Sequence, residues 1–216
     1  MYHCYAAYDH NFLKTIVAPE LLESVETAVE TGTFKVDGTI ELSKRYKKVI
    51  TIELDEQIFQ KGKKRLLPHL NIKCIHGNSA EVLKTILPTL TGTTLFWLDA
   101  HFSGNSSTDW NNSMWKGFGE NTGVLNNDVS IPQNQNPLNL EIETIAKLHK
   151  GSVILYIDDI HNFDAQGNGL KNNSFSGEDW THLNLQSLID GVSDRYVDDQ
   201  YVDEYQMVII LKSIDQ

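Results

Sequence analysis

Two stretches of this 216-residue chain pass from an unbroken apolar run straight into carboxylates and a histidine. One is Leu95-Phe96-Trp97-Leu98-Asp99-Ala100-His101, and the other is Ile154-Leu155-Tyr156-Ile157-Asp158-Asp159-Ile160-His161. If the two runs are neighbouring strands, three carboxylates meet at one edge, and like charges that close stay ionised only beside a cation. Asp99, Asp158 and Asp159 are therefore the expected metal ligands. Oxygen ligands with water favour Mg²⁺, Mn²⁺ or Ca²⁺ over zinc, and an added histidine moves the preference toward Mn²⁺ or Fe²⁺. His101 and His161 each stand two residues beyond an acid and can take a proton near neutral pH. The competing arrangement has Asp158 and Asp159 capping the next turn, with Asp99 serving a cofactor alone.

A second cluster lies earlier in the chain. Ala28-Val29-Glu30-Thr31-Gly32-Thr33-Phe34-Lys35-Val36-Asp37-Gly38-Thr39 reads as a strand, a glycine turn and a helix, an arrangement that lets backbone amides approach a ligand. The dinucleotide pattern GxGxxG is absent, because no second glycine follows Gly32 at the required place. The phosphate-loop pattern also fails: Gly32 and Gly38 enclose one residue too many, and Thr39 stands where lysine is needed. One acid, one glycine and a turn suit a cofactor that carries amino and carboxylate groups rather than phosphate. Glu53 follows Gly32 by 21 positions at the end of the next apolar run, where an acid commonly accepts hydrogen bonds from a ribose diol. In His76-Gly77-Asn78-Ser79 an amide side chain can reach an adenine edge, whereas His76 itself receives no role.

Positioning these groups requires alternating strands and helices. Apolar, β-branched runs predict strands over Val25 to Glu30, Lys48 to Glu53, Ile72 to His76, Thr94 to Asp99 and Val153 to Asp158. Within the last two, Leu95 to Leu98 and Val153 to Ile157 are continuously apolar, as in strands covered on both faces. Amphipathic stretches predict helices over Asn11 to Ser24, Gly38 to Lys47, Asp55 to Leu67, Ser79 to Leu90, Leu138 to Lys150 and Glu178 to Asp190, with Ser79 as an N-cap. Arg195 to Tyr201 and Gln206 to Leu211 are too close for a crossover helix, so they predict an antiparallel hairpin. The expected architecture is α/β, a three-layer αβα sandwich around a mostly parallel seven-strand sheet, formed by residues 1–216 as one domain. Phe102 to Pro137 is rich in Asn, Ser and Gly and leaves a central strand at its carboxyl end, so it reads as an insert that covers the substrate.

Composition narrows the partners. Asp and Glu total 29 against 18 Lys and Arg, a formal charge of −11 that would repel nucleic-acid backbones and anionic lipid. The basic clusters Lys44 to Lys48 and Lys61 to Arg65 fall at helix ends, where cations favour the dipole. The start Met1-Tyr2-His3-Cys4-Tyr5 has no basic segment and apolar run, and Cys4 and Cys74 form no CxxC pair. The expectation is a soluble cytoplasmic protein without nucleic-acid or membrane partners.

In the order of these features the chain resembles a class I S-adenosylmethionine-dependent methyltransferase, from about Val25 to Leu211. The carriers are the acid-x-Gly turn of Glu30 and Gly32, Glu53, the Gly77-Asn78-Ser79 turn, Asp99 and the closing hairpin. Phe34 and Val36 occupy the second and third glycine positions of that family's acid-x-Gly-x-Gly-x-Gly motif. The resemblance implies that Glu30, Thr31, Gly32 and Thr33 cradle the methionine part of S-adenosyl-L-methionine. It further implies that Glu53 holds the ribose, with Asn78 and Ser79 near the adenine and Asp99 beside the cofactor. Asp99 with Asp158-Asp159 is similar to the metal-binding acids of catechol-type and macrocin-type O-methyltransferases. The expected activity is O-methylation of a small-molecule or sugar hydroxyl assisted by Mg²⁺ or Mn²⁺, with His101 or Asp99 taking the proton. Two alternatives share these residues: a non-catalytic binding module of the same fold, and a magnesium-dependent nucleotide-phosphate enzyme. Cofactor binding without methyl transfer marks the first, and nucleoside triphosphate binding marks the second.

Overall fold

The computed structural model describes residues 8–101, 135–172, 178–201 and 205–214. Five parallel strands form its centre: β1 Thr27–Thr31, β2 Lys48–Glu53, β3 Ile72–His76, β4 Thr94–Leu98 and β5 Val153–Ile157. Two short strands, β6 Lys171–Asn172 and β7 Glu178–Asp179, pair with each other outside the main sheet. The closing hairpin is β8 Tyr196–Tyr201 and β9 Met207–Leu211, and β9 runs antiparallel beside β5. The order across the seven-stranded sheet is β3-β2-β1-β4-β5-β9-β8. It reverses direction between β1 and β4, so a crevice opens at the carboxyl ends of those two strands. The α/β expectation and the terminal hairpin are borne out.

β1, β4 and β5 are buried at every position because helices cover both faces. On one face pack α1 His10–Ile16, α2 Pro19–Glu23 and α3 Asp37–Ser43, through Leu13, Leu22 and Leu42. On the other pack α5 Ser79–Ile86, α6 Leu138–Leu148 and α7 Leu185–Asp190, through Leu83, Ile142, Ile145 and Leu188. The fourth helix in chain order, α4 Glu56–Leu66, lies against β2 and β3.

Several boundaries differ from the sequence reading for identifiable reasons. The first predicted helix is two, because Val17 is extended and Pro19 starts a new helix. Asn78, not Ser79, caps α5: its side chain accepts from the Glu81 amide, and Ser79 is the first helical residue. The helix predicted from Glu178 begins only at Leu185. Upstream of it the Asp179 carboxylate accepts from the Thr181 amide and hydroxyl, which turns the chain and buries Trp180 and Leu183, and Asn184 then caps the helix. Residues 102–134, most of the predicted insert, lie outside the described residues. Among the described residues no helix is long and apolar enough to cross a membrane.

Candidate functional site

The carboxyl ends of β1, β2, β4 and β5 bring the predicted residues to one edge. Gly32 follows β1 with φ +87°, and a Cβ there would lie 2.4 Å from the Asp99 carbonyl oxygen, so only glycine lets the turn close on the end of β4. The turn then passes through two left-handed residues that are not glycine, Phe34 at φ 41° and Val36 at φ 63°. They stand where the resembled motif has glycines, and both adopt a backbone conformation that glycine takes most readily. Val36 is buried, and its Cγ1 would lie 3.1 Å from a Cβ on Gly62, so α4 offers it a hole.

Glu53 ties β2 to this turn. One of its carboxylate oxygens accepts from the Phe34 amide and the other from the Asp55 amide, each at 2.9 Å. Burial raises its pKa, and these amides pull it back. Glu30 is turned away from the cleft. Its carboxyl, 2% exposed, accepts from the hydroxyls of Thr39 and Thr51, the latter at 2.6 Å. Desolvation pushes its pKa up to about 7 against the pull of those hydroxyls. Glu30 therefore braces the turn from beneath, and Thr33 is held beside it by a 2.6 Å bond to the Thr51 hydroxyl.

On the neighbouring strands Leu98 pairs in register with Ile157, so Asp99 and Asp158 leave the sheet side by side. Asp159 follows in a left-handed conformation (φ 60°) and makes no side-chain cap to the short 3-10 turn after it. Its carboxylate lies instead 3.1 Å from His101 Nε2 and 3.6 Å from His161 Nδ1, and Asp99 is 3.6 Å from His101 Nδ1. Ligand atoms of Asp99, His101 and Asp159 all come within 4.8 Å of one another. Asp158 stands outside that group: it accepts from the Asp159 amide at 2.9 Å and from Trp97 Nε1 at 3.4 Å. Burial and then the Asp159 charge raise Asp158 to about 7. Asp99 is raised strongly, by burial first and then by Asp158, Asp159, Glu30 and Glu141. A divalent cation would relieve this repulsion, and two carboxylates with an imidazole are a donor set that Mn²⁺ or Fe²⁺ accepts. Trp180 packs its ring 5.5 Å from that of His101, so the segment that follows β7 reaches the site.

One residue escaped the sequence reading. Glu141 lies in the first turn of α6, 1% exposed, with its Oε2 accepting from the Thr31 hydroxyl at 3.4 Å. Burial pushes the Glu141 pKa up to about 7. The signal was available, because Leu138, Glu141, Ile142 and Ile145 follow helical spacing and place an acid on an otherwise apolar stripe.

No family model matches the chain, and no curated protein matches it by sequence. Among solved structures the chain is similar to an S-adenosylmethionine-dependent methyltransferase from Clostridium acetobutylicum ATCC 824. That likeness has 8% identity, covers 95% of this chain and 92% of the other, and has a TM-score of 0.53. A second likeness is to an O-methyltransferase family protein from Burkholderia thailandensis, at 9% identity, 95% and 56% coverage and a TM-score of 0.52. At such identities the likeness is one of fold.

Proposed function

We propose that this chain, which has the fold of class I S-adenosylmethionine-dependent methyltransferases, transfers a methyl group from S-adenosylmethionine to a hydroxyl of a small molecule or sugar. The observation that carries this reading is the convergence of Asp99, His101 and Asp159 one strand away from the Gly32 turn and Glu53. The residues fit the cofactor. Glu53 uses one lone pair of each oxygen on a backbone amide and keeps the others for a ribose diol. The turn from Thr31 to Thr33 presents backbone to the methionine part, while Asn78 and Ser79 border the adenine. When bound, the cofactor supplies an electrophilic methyl group, and a divalent cation lowers the pKa of the acceptor hydroxyl. Asp99 and Asp159 would hold that cation, and Asp158 orients Asp159 through its amide. His101 receives the hydroxyl proton on its imidazole, where the two flanking carboxylates stabilise the charge.

Calorimetric titration with S-adenosylmethionine and S-adenosylhomocysteine, each with and without Mn²⁺, tests this reading. We expect saturable binding that is lost in Glu53→Ala. No binding by the wild-type chain under any of these conditions overturns the assignment and brings nucleoside triphosphates forward.

A further inference from the structure

The formal charge of −11 is an average over an uneven distribution. Residues 35–73 hold ten of the 18 Lys and Arg but only five of the 29 Asp and Glu, so this segment carries +5 and the remainder of the chain −16. Four of those acids, Asp37, Glu53, Asp55 and Glu56, stand at the start of α3, the end of β2 and the start of α4, on the carboxyl side of the sheet. At the opposite edge, Lys44 and Lys47 lie between α3 and β2, Lys48 opens β2, and Lys64 is in the last turn of α4. Lys44 and Lys47 pair with Glu41 and Glu26 at the surface, where water and salt screen such pairs. Lys48 and Lys64, both exposed, have no ion-pair partner among the described residues. Asn71 joins the turn after α3 to the turn after α4. Its side-chain amide donates to the carbonyls of Ser43 at 2.8 Å and Tyr46 at 3.0 Å, and its own carbonyl accepts from the Val49 amide at 2.9 Å. In the turn that ends at Asn71, Leu67 and Leu70 are 70% and 98% exposed, the most exposed large apolar side chains among the described residues. Leucines so bare project from the surface, and any apolar medium that covers them gains their transfer free energy.

We propose that this edge is a docking surface for an anionic phospholipid membrane, with Leu67 and Leu70 entering the interface and Lys44, Lys47, Lys48 and Lys64 meeting the headgroups. Apolar tips beside ammonium groups suit that surface twice over: acyl chains take the leucines, and the anionic headgroups take the charge. A nucleic acid would use the cations but not the leucines, and the rings nearest in sequence on which bases could stack, Tyr46 and Phe59, are buried. Two leucines are also too few for the apolar centre of a stable protein interface, which buries about 800 Å² a side. The acids of the candidate site leave β4 and β5 at the carboxyl end of the sheet, whereas Lys48 and Ile72 open β2 and β3 at the amino end. Docking through the amino edge therefore leaves the site facing water, and membrane binding and cofactor binding are separable.

Co-sedimentation of the full chain with vesicles tests this, using equal parts phosphatidylcholine and phosphatidylserine in one set and phosphatidylcholine alone in the other. The expected result is binding to the anionic vesicles that is about tenfold weaker or more on the neutral ones and is lost at high salt. Leu67→Ser combined with Leu70→Ser should weaken binding to the anionic vesicles about tenfold or more. Lys48→Ala combined with Lys64→Ala should weaken it by about the same factor. All four side chains are exposed, so circular dichroism and urea midpoints of both double variants should match wild type. Titration with S-adenosylmethionine should likewise give the wild-type result for both. No binding of the wild-type chain to anionic vesicles overturns the proposal, and so does binding that the leucine pair does not affect. Retention of single-stranded RNA in preference to the anionic vesicles, weakened by the lysine pair alone, overturns it in favour of nucleic acid. A wild-type dimer that the leucine pair dissociates overturns it in favour of a second copy of this chain.

Discussion

At the scale of single residues, the turn after β1 holds two side chains in a backbone conformation that glycine adopts most readily. Phe34 and Val36 adopt positive φ, a conformation that costs a side chain roughly 1–2 kcal/mol. Their surroundings differ, and so should their substitutions. Phe34 is half-buried, so Phe34→Gly should relieve more strain than it adds in unfolded-chain entropy and gain roughly 0.5 kcal/mol in urea unfolding. Val36 is buried against the hole over Gly62, so Val36→Gly should lose about 1–2 kcal/mol despite the same relief. A gain for Val36→Gly would show that its packing contributes little. Asp99 poses the opposite problem, since it destabilises the ligand-free fold and should be retained for chemistry. Asp99→Ala should abolish methyl transfer and leave the circular dichroism spectrum unchanged; a fully active variant would sink the proposed metal role.

At the scale of elements, the site depends on how helix ends and the hairpin are fastened. Asp55 caps α4 by accepting from the Ile58 amide, while its own amide donates to Glu53. Asp55→Ala should therefore cost about 1 kcal/mol of stability but keep the amide on Glu53, leaving cofactor affinity near wild type. Arg195, immediately before β8, donates to the carbonyls of Ala146, His149, Gly151 and Lys212. It binds the end of α6 to the hairpin, and β9 of that hairpin is the strand beside β5 that carries the acids. Arg195→Met would strand several buried carbonyls and should lower stability by about 2 kcal/mol or more. Lysine should recover little of this, because its compact ammonium cannot span four carbonyls. Unfolding midpoints of the two variants check the difference.

At the scale of the whole molecule, the buried acids make stability depend on pH in an unusual direction. Glu30, Glu141 and Asp158 are all raised to about 7 from ordinary values near 4, chiefly by burial. An acid whose folded pKa is raised binds its proton more tightly in the folded state. Its contribution is complete below the unfolded value and is lost as pH rises through 7. For Glu30 alone this is on the order of 3 kcal/mol. Asp179, lowered to about 2 by hydrogen bonds from Thr181 and Lys171, works oppositely and loses its contribution only in strong acid. The ligand-free chain should thus be more stable at pH 5 than at pH 8, as read by urea midpoints. Mn²⁺ should restore part of the loss at pH 8, because a ligand that binds only the folded state stabilises it. Equal midpoints at the two pH values would show that the acids are solvated.

Much of this was legible in the sequence because it is local. Strand runs, amphipathic helices and the short link before β9 follow from side-chain period and spacing, and β2 and β3 were placed to the residue. The ordering of acid, glycine turn, Glu53 and Asp99 followed from the same reading, since each residue ends its own strand. Tertiary structure decided which way those residues face. Glu30 turns under the cleft to Thr39 and Thr51, Asp158 turns to Trp97, and His101 joins Asp99 and Asp159 in place of Asp158. Each outcome depends on partners far along the chain, and residue spacing carries no information about which distant hydroxyl or indole will meet a carboxyl. Glu141 is the extreme case: its helical position was readable, but its contact with the Thr31 hydroxyl exists only once α6 has packed onto the sheet.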